Sequence, residues 1–262
     1  MTRADPERKK ERTTVITIPS GRYGPITNTT ESLGITRQLV GGEGACRWKM
    51  LMYGMHLGLP WNTVEYVVIP PGASCGEHVH ARTEEIYYIL EGSATMHING
   101  SRLEVTAGDL ITTPIDVRHG IANNTAQDMV LFVVEVFPGS RAGHEPTRIA
   151  LPKRLRETAA FRGADSLIRV VTIKVAELLT GAWREFTLAE IPPAGTFGPY
   201  RCDEGVEVFF VVHGQANVAF GEESVSGTAG LCVAVPVGMS RSIRNTSSEI
   251  PLVLICTEVR PV

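Results

Sequence analysis

Two histidines one residue apart, His78 and His80, precede an acidic pair, Glu84-Glu85, by only a few positions. In an extended strand alternate side chains share a face, so both imidazoles point one way while Val79 points the other. Two imidazoles converging on one point, with a carboxylate nearby, make three-quarters of a site for a divalent metal. Ala81-Arg82-Thr83 is long enough to turn the chain, and the β-branched and aromatic run that follows reads as a return strand. Either Glu84 or Glu85 then starts that strand beside the histidines.

Such a pair needs a β scaffold, and the surrounding sequence supplies one. From Trp61 onward short apolar runs recur every ~8–12 residues, broken by Gly, Pro and Asn, the rhythm of an all-β sandwich or barrel. The clearest strands are 64–69, 85–90, 94–98 and 130–137. Asn99-Gly100 is a strong hairpin signal. Short strands and loops are expected over 14–60, with turns at Pro19-Ser20-Gly21 and at Gly41-Gly42-Glu43-Gly44. The polar stretch 138–165 reads as a connector with at most one short helix near 153–161, and the charge-alternating residues 1–13 read as a flexible tail.

Composition narrows the function classes. The 262 residues are 43% hydrophobic and 20% charged, as in a soluble globular protein with room for one large or two small domains. A net charge of -3 provides no basic field for nucleic acid or an anionic membrane. The five cysteines are odd in number, widely spaced and free of any CxxC pair, which argues against a disulfide framework and suits a reducing cytoplasm. Residues 1–20 hold no apolar run like a signal peptide, and no stretch approaches a membrane span.

The chain also repeats itself. An ungapped shift of 122 residues pairs Trp61 with Trp183, Ile69-Pro70-Pro71 with Ile191-Pro192-Pro193, Glu85 with Glu207, Gly92 with Gly214, Gly108 with Gly230 and Asn123 with Asn245. A repeat of this length, carrying turn residues and strand rhythm, means two copies of one β domain. We expect the first copy over 14–137 and the second over 166–262.

The spacing Gly72, His78-x-His80, Glu85, Gly92 resembles the first motif of the cupin superfamily, and Gly108, Pro114-x-Asp116, His119, Asn123 resembles the second. Asp116 stands where that family usually has Gly, a turn position that Asp tolerates. The resemblance implies a bicupin: two tandem jelly-roll barrels in one chain. It further implies that His78, His80, Glu85 and His119 hold one divalent metal in the first barrel. Glu85 is preferred to Glu84 because it keeps the spacing to Gly92 and pairs with Glu207, so Glu84 should face outward. In the second copy Tyr200, Cys202 and Arg241 replace the histidines and only Glu207 survives. That copy cannot hold a metal in the same way, and Arg241 should occupy the vacated centre against Glu207. It becomes a structural or dimerising barrel in an expected homodimer.

Three imidazoles and a carboxylate suit Fe(II), with Mn, Ni, Co, Cu or Zn as alternatives, and leave coordination positions open. Strand alternation turns Tyr87 and Ile89 inward with Glu85, and Ala94, Met96 and Ile98 likewise on the next strand. Met96, Ile121 and Phe132 are candidate substrate contacts, Val134 is placed inward with Phe132, and Glu85 and Tyr87 are candidate catalytic groups. The expected pocket is mostly apolar and takes a small organic molecule. Oxalate decarboxylase-like bicupins carry an arginine three residues before the first ligand histidine, where this chain has Cys75, so oxalate is disfavoured. A quercetin dioxygenase-like, oxygen-using reaction is the first expectation. A metal-dependent isomerase, cyclase or lyase is the second, and a non-enzymatic ligand-binding cupin the third.

Overall fold

The computed structural model describes residues 26–28, 33–58, 60–139 and 143–260; the expected tail and the turn at Pro19-Ser20-Gly21 lie outside the described residues. The first half contains β1 (Ile26–Asn28), β2 (Gly34–Arg37), β3 (Ala45–Tyr53), β4 (Trp61–Ile69), β5 (Ser74–Val79) and β6 (Glu84–Glu91). It continues with β7 (Ser93–Ile98), β8 (Ser101–Thr106), β9 (Asp109–Thr113), β10 (Arg118–Ala122) and β11 (Met129–Val136). Then come β12 (Thr147–Ala150), β13 (Arg156–Thr158), β14 (Ile168–Lys174), β15 (Trp183–Ile191), β16 (Thr196–Arg201) and β17 (Val206–His213). The chain closes with β18 (Gln215–Phe220), β19 (Glu223–Thr228), β20 (Leu231–Val235), β21 (Ser240–Asn245) and β22 (Leu252–Val259).

These strands form two jelly rolls, each a seven-stranded sheet facing a four-stranded one. The first has orders β12-β9-β6-β11-β4-β3-β2 and β5-β10-β7-β8; the second has β1-β20-β17-β22-β15-β14-β13 and β16-β21-β18-β19. The Asn99-Gly100 turn joins β7 to β8 with φ of 48° and 79°, the left-handed pair a two-residue hairpin needs. Asp116 has φ 64°, which explains why glycine is usual at that motif position.

Each large sheet is buried on both faces. One face lines its own barrel, where Val67, Ile69, Ile89, Met96, Ile121 and Leu131 form the first interior core. The other face packs against the large sheet of the second barrel: Ile86, Tyr88, Phe132 and Val134 meet Phe186, Leu188, Phe210 and Ile255 in one continuous core. Phe132 lies 4.9 Å from Phe210 and Tyr88 5.6 Å from Phe186, ring centre to ring centre. Burial on both sides is why β6 and β11 read as nearly unbroken apolar runs.

The barrels also exchange their leading strands. β12 pairs with β9 of the first barrel, Arg148 opposite Ile111, although it precedes the second. β1 precedes the first barrel but pairs with β20 of the second, Ile26 opposite Val233. The two pairings coincide under the 122-residue shift. The stretch 138–165 therefore does more than connect: it gives β12 to one sheet and β13 to the other. The helix expected near 153–161 is instead a 3-10 turn, Pro152–Arg154, followed by β13, whose pairing to β14 overrides local helical preference.

A second correction concerns Glu84, which was expected to face outward. It is fully buried, and its carboxylate accepts hydrogen bonds from the Thr180 backbone N–H (2.9 Å), the Thr180 hydroxyl (2.8 Å), the Gly181 N–H (2.7 Å) and the Trp183 indole N–H (3.2 Å). The face opposite Glu85 is outward from its own barrel but inward to the pair, so Glu84 ties the first barrel to the second. Among the described residues all five cysteines are free, and no helix is long and apolar enough to cross a membrane.

Glu84→Ala leaves four donors without their acceptor and should lower the unfolding free energy by about 3 kcal/mol or more, measured by urea denaturation. Metal content should be unchanged, in contrast to Glu85→Ala.

Candidate metal centre

The four predicted ligands come from three strands and one loop. β10 lies antiparallel to β5 with His119 directly opposite His78. His80 follows just past the end of β5, and β6 of the facing sheet brings Glu85 across the barrel. Their ligand atoms all lie within 4.8 Å of one another. His119 and Glu85 are buried, at 1% and 3% exposure, whereas His78 and His80 border the opening.

The hydrogen bonds fix the ring tautomers. His78 Nδ1 donates to the Gly76 carbonyl at 2.8 Å and His119 Nδ1 to the Val117 carbonyl at 3.1 Å. His80 Nδ1 donates to the Thr83 hydroxyl at 2.7 Å, and that hydroxyl donates onward to Glu135 at 3.1 Å. With every Nδ1 proton committed to an acceptor, each neutral ring turns an Nε2 lone pair inward. Those lone pairs meet: His78 Nε2 lies 2.8 Å from His80 Nε2, and His119 Nε2 lies 2.8 Å from a Glu85 oxygen, which is 3.8 Å from His80 Nε2. Such crowding of electron pairs is relieved by a positive charge at the centre, so the residues fit a divalent cation. The electrostatics agree. Burial would raise the Glu85 carboxyl, but a second proton on His119, donated from Nε2 as the positive charge where no cation is bound, and the nearby rings outweigh it and hold it below its usual range. Burial lowers the His78 and His80 rings, whereas for His119 the hydrogen bond and charge of Glu85 overcome burial and raise it.

The ligands open on a cavity of about 540 Å³. Strand register explains its walls. β11 sets Glu135 opposite Glu85 and Val133 opposite Tyr87, while β4 sets Glu65 opposite Val133 and Val67 opposite Leu131. The barrel-facing side of the large sheet thus carries Glu85, Glu135, Tyr87, Val133, Glu65, Val67 and Leu131. Trp48 completes that wall, and Leu39 and Val40 form part of the rim. Gly76 permits that rim, because a Cβ there would meet the Val40 carbonyl at 2.4 Å.

Tyr87 lines the cavity as expected, its ring edge-on to His119 at 5.8 Å. Met96 and Ile121 do not line it; both are packed in the apolar interior of the barrel. Phe132 and Val134 point to the opposite face of β11, into the core between the barrels. The expected parity of β11 was off by one residue, and a one-residue slip moves every side chain to the other face. The polar lining that sequence reasoning missed is Glu65 and Glu135. The available signal was a carboxylate in register with Val67 on β4, and one in register with Val133 on β11.

Both carboxyls are perturbed. Burial, then Glu135, push Glu65 up to about 7, against the indole N–H of Trp48 that donates to it at 2.7 Å. Burial and then Glu85 push Glu135 up to about 7, against the Asn62 amide at 2.7 Å and Thr83. Cys75 also lines the cavity, and burial pushes its thiol up to about 12, so it packs there as a neutral group.

The second barrel keeps the carboxylate and replaces the cation. Arg241 Nε lies 2.8 Å from Glu207, both side chains fully buried, as expected. The sequence did not point to Arg162, which also pairs with Glu207 and contacts Tyr200 at 2.8 Å. Cys202, Glu207 and Glu258 converge closely enough to be considered metal ligands, but Arg184 pairs with Glu258 at 3.0 Å and Arg162 and Arg241 already supply the positive charge. Glu258 faces Glu207 across β22 just as Glu135 faces Glu85 across β11, so the carboxylate pair is common to both barrels.

Arg241→Leu should cost about 3 kcal/mol of stability in a denaturant titration, because it deprives a buried carboxylate of a partner. For Glu65 in the metal-free chain, the folded carboxyl near 7 lies above its unfolded value of 4.5. Both states are protonated below the lower value, and the full cost of the buried charge is present only above the upper one, so wild-type stability falls between them. Glu65→Gln removes that loss. Its stabilising effect should therefore grow from pH 5 to pH 8, reaching about 2 kcal/mol, as read from thermal unfolding at the two pH values.

Comparison with known proteins follows the same two-barrel division. The cupin domain family model matches residues 65–135 and 187–258, together more than half of the chain. An oxalate-binding protein of Thermotoga maritima is 39% identical over 66 residues, covering 25% of this chain and 54% of that protein. Polyketide synthase CurC of Streptomyces cyaneus is 29% identical over 82 residues, covering 30% and 53%. The chain spans about half the length of these curated relatives. Oxalate decarboxylase of Bacillus subtilis, a protein with Mn(II) centres, superposes with a TM-score of 0.67 at 16% identity over 92% of this chain and 79% of that one, a likeness of fold. Two matched domains, two jelly rolls and one complete ligand set agree: the chain belongs to the cupin family and is a bicupin.

Proposed function

We propose that this bicupin is a metal-dependent enzyme for a small, largely apolar organic molecule, and that its chemistry is proton transfer at a carbon beside a carbonyl: isomerisation, cyclisation or elimination. One observation carries this reading. The ligand set opens on a cavity that holds two further carboxyl groups, Glu65 and Glu135, among walls of Val67, Leu131, Val133 and Trp48. Apolar walls take the body of the substrate, and carboxyl groups accept or return its protons.

His78, His80, Glu85 and His119 would hold one divalent transition ion, Fe(II) or Mn(II), which supplies Lewis acidity toward a substrate oxygen when bound. Thr83 fixes the His80 ring through Nδ1, and Glu135 in turn orients Thr83. Glu85 lies beside the substrate space as well as in the ligand set. Tyr87 has its hydroxyl pushed well up by burial and then by Glu85, so it stays protonated and can only donate its proton or accept a hydrogen bond. The Mn(II) centres of the fold relative and the polyketide connection of the Streptomyces relative support the metal and the substrate class.

The oxygen-using reaction expected from sequence is the second reading. The same donor set, three imidazoles and one carboxylate with open positions, favours it. Protein purified under nitrogen should contain about one equivalent of transition metal per chain, with His78→Ala and His119→Ala both losing it. Full metal retention in both variants would refute the site. Incubation with flavonoid, diketone and polyketide compounds should give turnover without oxygen uptake and with deuterium incorporated from solvent. Stoichiometric oxygen consumption would decide for the dioxygenase.

A further inference from the structure

We propose that Glu65 is a specificity-determining residue that selects substrates presenting a hydroxyl, phenolic or enolic, to the cavity wall, and rejects those presenting a carboxylate there. The inference rests on the metal-dependent reading above, since it places the substrate in the same cavity.

Glu65 is held where a substrate would touch it. β3 and β4 pair in register, with Trp48 opposite Val67 and Met50 opposite Glu65, so the Trp48 indole lies diagonally beside the carboxyl. Its N–H donates to Oε2 at 2.7 Å, which fixes the orientation of the group and leaves further acceptor capacity toward the cavity that Glu65 lines. A hydroxyl donor arriving there finds an acceptor. Above pH 7, where Glu65 is ionised, a carboxylate finds no donor there.

The surroundings sharpen this choice. Glu135 and Glu85 lie on the same face of the sheet, in adjacent register. Among the described lining residues the one guanidinium is Arg82, exposed at the rim rather than on the wall that carries Glu65. A small dianion would therefore meet carboxyl groups where it needs cations. Val133 and Tyr87 share the Glu65 row beside the row of Glu135 and Glu85, and Val67 and Leu131 form the next row away from the ligands, an apolar wall suited to an aromatic body. The perturbed carboxyl, pushed up by burial, is consistent with a group that gains from a hydrogen-bond donor.

Glu65→Gln offers a test with a predicted sign. The Trp48 N–H must be met by the amide oxygen, so the amide nitrogen, a donor, takes the place of the other carboxylate oxygen. We would titrate the metal-loaded wild-type chain and the variant by calorimetry at pH 8, above the Glu65 value of about 7, with 2-naphthol and with 2-naphthoate, which differ in the group presented. The wild type should bind 2-naphthol more tightly, and Glu65→Gln should shift the naphthol-to-naphthoate affinity ratio toward naphthoate by about tenfold or more, with metal content unchanged. Trp48→Phe, which removes the indole donor but keeps the charge, should weaken 2-naphthol while preserving the preference. A wild-type preference for 2-naphthoate, no detectable binding of 2-naphthol, or an unchanged ratio in Glu65→Gln would overturn the proposal. A wild-type chain that takes up no metal would instead refute the metal-dependent reading on which it stands.

Discussion

A carboxylate buried inside a β-barrel must be met by positive charge, and both halves of this chain are arranged around that requirement. Glu85 and Glu207 occupy the same position on equivalent strands, and each is almost completely shielded from water. Left alone, either would be a costly isolated charge. In the first barrel three imidazoles surround the carboxylate and turn their lone pairs inward, so the balance falls to a cation at the centre. In the second barrel Arg241 and Arg162 supply that charge covalently. One architecture thus yields a ligand set that fits an exchangeable ion and a second site that arginine neutralises.

The large sheets carry a second constraint because both of their faces are buried. Their barrel faces hold ligands and cavity wall, whereas their outer faces press on each other through Phe132, Phe210, Tyr88 and Phe186. Adjacent residues therefore serve different purposes. Glu85 faces the metal centre, and Glu84, one position earlier, clamps the loop 180–183 of the other barrel. The reciprocal pairings of β1 and β12 extend the coupling, since each barrel borrows an edge strand from the segment that introduces the other. β9 and β20 thereby become interior strands, and the short β12 and β1 take the sheet edge in their place.

Inside the first barrel the cavity departs from a plain apolar box. Glu65, Glu135 and Glu85 share one face of the sheet, and their neighbours are valine, leucine, tyrosine and tryptophan. That combination gives the site groups that can accept protons. Thr83 links His80 to Glu135, so the carboxyl beside the centre also orients one of its ligands.

Local pattern alone determined a great deal. The 122-residue repeat, the Asn99-Gly100 hairpin and the convergence of His78 and His80 follow from spacing and strand parity, and the choice of Glu85 and the pairing of Arg241 with Glu207 from the motif resemblance and the repeat together. Period-2 alternation says which residues share a face, but it cannot say which face is the barrel interior when both are apolar. For that reason Phe132 and Val134 were placed on the wrong side, and the burial of Glu84 was invisible. The strand at Arg156–Thr158 was equally hidden, because its partner on β14 and not its own propensity makes it a strand. Glu65 and Glu135 were in plain view as residues, yet their meaning came from register across β4, β11 and β6, which brings two distant carboxyls beside a third. Sequence pointed to the four converging residues because they lie in short motifs, whereas the cavity and the interface between barrels were decided by tertiary pairing, which sets opposite one another residues that no local pattern connects.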